Sequence, residues 1–195
     1  MSRQHKTSEL KARVLSAALN HFTEAGVERT NVGDILRDAD ISVGSLYHHF
    51  GSKEGVAEAL FVEGVEQFNR NLLSELESHG SAESGVKSIV ISCCQWVTEQ
   101  PQLAAFMLSR EIKLSEETKQ ELRELDRANR KALSNWFTPH IDAGHLKQLD
   151  FNIYVSIISG PTLEYSRMWL SGRYARSPAT VAADMSEAAW QAVRH

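Results

Sequence analysis

The amino-acid sequence predicts an all-α protein of about nine helices, three small ones at the N-terminus and six larger ones after them. Three observations predict it. Apolar residues recur at helical spacing along almost the whole chain, as in Val32, Ile35, Leu36 and Ala39, which fall at i, i+3, i+4 and i+7. No alternating apolar and polar run of strand type stands out. The 195 residues include four prolines and eleven glycines, which stand mostly where helices should start or stop.

The first helix is expected from about Ser8 to Ala25, with Leu10, Val14, Ala18, Phe22 and Ala25 on its buried face and Gly26 as a left-handed C-cap. Thr30 or Asn31 can cap a second helix that begins at Val32. Asp40-Ile41-Ser42 breaks the helical period, at a place where a left-handed turn residue is wanted and aspartate is tolerated. Ser42 is a good N-cap for a third helix, Val43 to about Phe50. Leu46 and Phe50 face inward there, whereas Val43, Ser45, Tyr47, His48 and His49 point outward. Two short helices joined by a tight turn, with small and hydrogen-bonding residues on the second, form the layout of a DNA-reading helix-turn-helix.

Ser52 then caps a long helix striped by Val56, Leu60, Phe61, Val65, Phe68, Leu72 and Leu76. At 1.5 Å per residue, a helix of about 26 residues would be roughly 39 Å long. Ser81 or Ser84 opens the next helix, which runs through Thr98. Pro101 opens a short one with Leu103, Phe106, Met107 and Arg110. Ser115-Glu116-Glu117 opens a long charged one that carries Leu133, Trp136, Phe137 and Ile141 and closes near Gly144. Asp150 caps a helix to about Leu170, which Gly160-Pro161 must kink or break, and Ser177-Pro178 opens the last.

Composition bounds the function. Hydrophobic residues at 42 % and charged residues at 24 % suit a globular protein with a real core. No apolar run approaches the roughly 20 residues that cross a bilayer, so no membrane partner is expected. The polar opening MSRQHKTSELKARV lacks a signal-peptide core, and the expected location is cytoplasmic. Net charge is −4, yet residues 1–53 hold seven Lys/Arg against six Asp/Glu and the remainder fourteen against nineteen. A basic start (Arg3, Lys6, Lys11 and Arg13 around Glu9) on an acidic body suits a protein that meets phosphates with one end only.

These residues carry a resemblance. Phe22 and Gly26, Thr30-Asn31-Val32, Asp34-Ile35, Ala39, the run from Ile41 to Tyr47, His49-Phe50 and Ser52-Lys53-Glu54 agree in identity and spacing with the tetracycline-repressor (TetR) family, over a stretch from about Val14 to Leu60. The chain resembles a one-component regulator of that family. Two positions depart from the pattern: Asp40 stands for the usual glycine of the turn, and Gly33 for a longer polar residue.

The resemblance implies a DNA-binding domain over 1–52 and an effector-binding and dimerisation domain over 53–195. It implies a homodimer on a double-stranded DNA operator, released by a small-molecule effector, and no cofactor. Tyr47 and Lys53 are the phosphate contacts it implies, with His49 a weaker one. Val43, Gly44 and Ser45 lead into the major groove, where Val43 can meet a thymine methyl and Ser45 can hydrogen-bond. Thr30, Asn31, Ser42 and His48 complete the expected DNA-binding set.

Candidate effector-lining residues are Phe61, Val65, Trp96, Phe106, Met107, Arg110, Trp136, Phe137 and His140, of which Arg110 and His140 would suit an anionic or hydrogen-bonding apolar ligand. Candidate dimer-interface residues are Ile153, Ile157, Tyr165, Met168, Trp169, Val181 and Met185.

Rival readings have little to stand on. Cys93 and Cys94 are adjacent, so on a helix they point about 100° apart, and buried inert thiols are the expectation over a redox sensor. His140 and His145 lack further metal ligands, and no metal site is expected. Without a nucleophile elbow, a phosphate-cradling glycine loop or a paired-His motif, the chain is not expected to be an enzyme; a small-molecule carrier is the remaining alternative.

Overall fold

A computed structural model describes residues 3–109 and 112–195 of the chain, the side chains of residues 3 and 4 excepted. The described residues form ten helical segments. The eighth and ninth are the two halves of the single helix expected over 150–170, so the expected count of nine stands with that helix interrupted. The helices pack into two compact units, Met1–Val65 with Gln102–Gln120, and Glu66–Pro101 with Glu121–His195.

In the first unit, α1 (Arg3–Ala25) starts a turn and a half before the expected Ser8. It buries Val14, Leu15, Ala17, Ala18 and Phe22, and it stops where Gly26 takes a φ of +79°, which a side chain would resist. Asn31 caps α2 (Val32–Ala39) by accepting the Gly33 amide at 2.9 Å, and Ile35 and Ala39 are its buried face. Asp40 is the left-handed residue of the turn, at φ 52° and ψ 56°. Its amide closes on the Arg37 carbonyl at 3.2 Å, and the Ile41 amide on Leu36 at 3.1 Å. The carboxylate projects into solvent and meets Arg13 at 3.9 Å. Aspartate therefore supports the turn that glycine would otherwise make, at a cost of roughly 1–2 kcal/mol.

Ser42 caps α3 (Val43–Phe50) by accepting the Ser45 amide at 3.2 Å. Ser52 accepts the Gly55 amide at 3.0 Å and starts α4 (Lys53–Glu77), a helix that contributes residues to both units. The first unit is completed by most of α6 (Pro101–Leu108), whose Phe106 ring stacks on Phe22 with centroids 5.9 Å apart, and by the start of α7 (Glu116–Asp142). Ser115 caps α7 from within, accepting the Thr118 amide at 3.2 Å. From α4, Glu58 adds a second cap: its carboxylate accepts the Ser115 amide and the hydroxyls of Ser115 (2.9 Å) and Thr118 (2.8 Å).

The second unit is built around α5 (Ala82–Glu99), capped by Ser81 at the Ser84 amide. Leu72, Leu76, Val86, Ile89, Val90, Cys94, Leu133, Phe137, Leu146, Tyr154, Ile158, Ala182, Ala189 and Val193 form its core. Asp150 caps α8 (Phe151–Ile158) through the Asn152 amide. The chain then breaks at Ser159 and resumes as α9 (Gly160–Leu170), because Pro161 has no N–H for the Ile157 carbonyl one turn back. The last helix, α10 (Pro178–Val193), has its expected N1 proline, but Ser177 makes no side-chain cap bond. Instead, the Thr180 hydroxyl donates to the Ser177 carbonyl at 2.7 Å. Beyond α10 the backbone pairs with the segment after α7: Lys147 donates to Val193 O at 2.9 Å and His195 to His145 O at 3.2 Å, a pairing that no sequence signal announced.

Candidate nucleic-acid interface

One side of α3 is fastened and the other is open. Leu46 is completely buried, and Phe50 half-buried behind it. On the open side, one turn apart, Val43 is 56 % and Tyr47 51 % exposed, among the largest exposures of any big apolar side chain in the described structure. The exposed valine and the tyrosine ring together make a small apolar patch on this side of the helix. Ser42, Gly44 and His48 share the exposed side, and Ser45 and His49 are half-exposed. The rings of His48 and His49 meet edge to face at 4.9 Å.

Each expected DNA-facing residue can be placed. Val43, Gly44, Ser45, Tyr47, His48 and His49 belong to this one helix. Ser42 lies at its mouth, with its hydroxyl engaged in the cap. Asn31 is exposed at the start of α2, and its side-chain oxygen is likewise engaged. Thr30 is buried, and its hydroxyl donates to the carbonyls of Gly26 (2.8 Å) and His21 (3.1 Å), a duty inside the fold.

Lys53 is half-buried, and its ammonium donates to two main-chain carbonyls, Glu28 at 2.8 Å and Thr30 at 3.0 Å. The electrostatics behind the face are knitted locally. His21 on α1 bonds Asp38 on α2 at 2.8 Å, and Arg37 bridges Asp34 and Asp38. The His21 hydrogen bond, with help from Arg37 and against the effect of burial, holds the Asp38 carboxyl below its usual range.

The expected effector residues divide between the units. Phe61, Val65, Phe106 and Met107 lie in the first and Trp96, Trp136, Phe137 and His140 in the second; Arg110 lies outside the described residues. Trp96 packs edge-on to Phe68, Phe137 against Tyr154, and Trp136 over His140 at 4.4 Å. A half-open cavity of about 660 Å³ in the first unit has Phe22, Arg29, Ala105, Phe106 and Ile112 among its lining, and of the expected residues that are described only Phe106 reaches it.

Of the expected dimer residues, Ile153 is exposed, Ile157, Tyr165, Met168, Trp169 and Met185 are half-buried, and Val181 is buried within its own chain. Val155 and Tyr174, which periodicity did not single out, are exposed as well. Burial raises the Cys93 thiol to about 12 and the Cys94 thiol to about 11, so neither offers a thiolate near neutrality. Among the described residues, no group of three or more His, Cys, Asp or Glu could hold a metal ion, and no helix is long and apolar enough to cross a membrane.

Two helices, a left-handed turn and an open reading face define a helix-turn-helix DNA-binding protein. Residues 14–60 match the sequence model of the bacterial regulatory proteins of the tetR family. Over 134 residues the chain is 25 % identical to the HTH-type transcriptional regulator UidR of Escherichia coli K12, covering 62 % of this chain and 68 % of that protein. Over 159 residues it is 23 % identical to the fatty acid metabolism regulator protein of Bacillus subtilis, covering 80 % and 81 %.

Among solved structures, a tetR-family regulatory protein from Rhodococcus RHA1 superimposes with a TM-score of 0.79 at 22 % identity, over 99 % of this chain and 98 % of that one. FadR of Bacillus subtilis, in complex with stearoyl-CoA, does so with a TM-score of 0.77 at 20 % identity, over 91 % and 96 %. The two superpositions speak for the fold. Residues 14–60 thus carry the DNA-binding region of the tetR family, and the chain is a DNA-binding transcriptional regulator.

Proposed function

We propose that the chain acts as a homodimeric repressor that sits on a near-palindromic operator and is released by a small-molecule effector, a regulator rather than an enzyme. The observation that carries the reading is the open face of α3, with Val43 and Tyr47 exposed above a buried Leu46. In this reading residues 1–52 read DNA and residues 53–195 bind the effector and the second copy. Val43, Gly44 and Ser45 enter the major groove, the Tyr47 hydroxyl donates to a phosphate oxygen, and His48 and His49 lie along the backbone.

One α3 covers a half-site. Two copies related by a two-fold axis, with their readers about 34 Å apart or a multiple of it, would read a palindrome. Ile153, Ile157, Tyr165, Met168, Trp169 and Met185, joined by the exposed Val155, supply the apolar surface for that pairing.

An effector that prefers the DNA-incompetent spacing lowers operator affinity by its differential affinity for the two states. An amphipathic ligand with an apolar chain and an anionic head is the class this reading favours. The structure of Bacillus subtilis FadR with stearoyl-CoA supports that choice of ligand class. A gel shift of the purified chain on the DNA upstream of its own gene tests the reading. Binding that weakens with salt and with Tyr47→Ala, and is relieved by an acyl-CoA, supports it. Absence of binding at low salt overturns it.

A further inference from the structure

We propose that the half-open cavity of the first unit is a small-molecule site that takes an aromatic organic cation, and that a ligand held there bears directly on the connection leading into α2. The site stands on its own geometry, whereas its effect on operator binding rests on DNA reading by α3.

The cavity, at about 660 Å³, has the size of a site for a drug-sized ligand. Its floor is aromatic. Phe22 of α1 and Phe106 of α6 are both buried, and their rings lie 13° from parallel with centroids 5.9 Å apart. Ala25 and Ala105 also line it, and a methyl group at each position leaves room that a larger side chain would fill. The rim is polar and exposed, with Glu24, Glu28 and Arg29. An apolar floor under a polar mouth suits a molecule with a ring at one end and a charge at the other.

The rim sets the sign of that charge. Arg29 is turned back on the end of α1, where its Nε donates to the Ala25 carbonyl at 2.8 Å. The Glu28 carboxylate meets Lys113 at 3.6 Å, but the two side chains are 88 % and 92 % exposed, so water weakens the pair. Glu24 lies in the last turn of α1 and Glu28 just beyond it, at the negative end of the helix dipole. A cation is drawn to this mouth, and the Phe22 and Phe106 rings add a cation–π attraction below it. These carboxylates repel the anionic head of the effector proposed above, so the site takes a different class of molecule.

The wall of the cavity is also the footing of α2. It is formed by Gly26, Val27, Glu28 and Arg29. The Gly26 carbonyl accepts the Thr30 amide at 3.2 Å and the Thr30 hydroxyl at 2.8 Å. The Glu28 and Thr30 carbonyls accept the Lys53 ammonium, and Asn31, the next residue, caps α2. A ligand pressing on this wall is therefore linked to the reader, and it changes operator affinity by the ratio of its own affinities for the free protein and the complex.

The experiment uses the full-length chain and two probes with one body and opposite charge, 4-phenylbutylammonium and 4-phenylbutyrate. Calorimetry without DNA should show the cation binding at least about tenfold more tightly than the anion. Glu24→Gln with Glu28→Gln should bring the two within about threefold of each other, since the rim charge is gone. Ala105→Phe should fill the cavity and abolish binding of the cation. If Ala105→Phe does not fold, the exposed carboxylate pair still decides the matter. Failure of both probes to bind, an anion bound as tightly as the cation, or cation binding indifferent to Ala105→Phe overturns the site.

Fluorescence anisotropy on a labelled duplex of the DNA upstream of the protein's own gene reads the second half, at an ionic strength held constant with tetramethylammonium chloride. Saturating 4-phenylbutylammonium should shift operator affinity at least about threefold in the wild type and leave it unchanged in Ala105→Phe. Unchanged affinity in the wild type overturns the action on the connection. A wild type that fails to bind the duplex at low salt overturns DNA reading, whereas the calorimetry, which needs no DNA, still decides whether the cavity is a site.

Discussion

The carbonyl oxygen of Phe50, the last residue of α3, overhangs Gly55 in the first turn of α4 so closely that a β-carbon on Gly55 would stand 2.0 Å from it. The reading helix and the long helix are therefore joined by a backbone contact that only glycine permits. Gly55→Ala should force Phe50 and the C-terminal end of α3 outward, with an overpacking cost of about 1–3 kcal/mol. Thermal unfolding should show the lower stability, and operator titration a loss of affinity out of proportion to it.

Tyr47 makes the opposite case, a side chain with little to do in the free protein. Tyr47→Ala should leave unfolding stability within about 0.5 kcal/mol, as is usual for an exposed position. It should weaken operator binding by about tenfold or more, equivalent to about 1.4 kcal/mol. Tyr47→Phe separates the hydroxyl from the ring, and a loss equal to that of alanine would assign the whole effect to the phosphate contact.

Glu58 gives the first unit a pH dependence of known sign. Burial pushes its carboxyl up, but hydrogen bonds from the Ser115 amide, the Thr118 hydroxyl and the Ser115 hydroxyl outweigh it and hold the group below its ordinary value of 4.5. A depressed carboxyl stabilises the fold fully above the unfolded value and loses that contribution as pH falls through the lower folded value. Glu58→Gln should therefore cost about 1 kcal/mol at pH 7, seen as a melting temperature lower by about 2–4 °C. The gap between the two proteins should narrow in acid below pH 4.5.

Ile153 tests the two-fold assembly. It is 46 % exposed, so a charge there should not disturb the chain that carries it. Ile153→Asp should convert a dimer to a monomer in sedimentation velocity. Operator affinity should fall by at least about a hundredfold, because the second half-site no longer acts at high effective concentration.

Most of the helix ends were legible in the residues themselves. Asn31, Ser42, Ser52, Ser81, Ser115 and Asp150 all cap where their side chains can reach an amide two or three positions on, and Asp40 takes the left-handed conformation that a non-glycine turn demanded. These interactions are local, so spacing alone carries them. The outward position of Tyr47 was legible for the same reason, since it stands about 100° round the helix from Leu46, whereas Val43, only about 60° from Leu46, is not separated from it by period. Ser177 was the exception among the caps, because Thr180 occupies its carbonyl while its own hydroxyl makes no cap bond.

Tertiary structure alone decided which polar groups meet across distance. The donors and acceptors of Lys53 with Thr30, Glu58 with Thr118 and Lys147 with Val193 stand 23, 60 and 46 positions apart in the sequence. No periodicity specifies such pairs, because each depends on how two elements are brought together by apolar packing that many sequences could supply. Gly55 belongs with them, for its need is set by a carbonyl on the preceding helix. The sequence by itself determined that α3 has a face to offer; only the packing behind it decided at what angle that face is held.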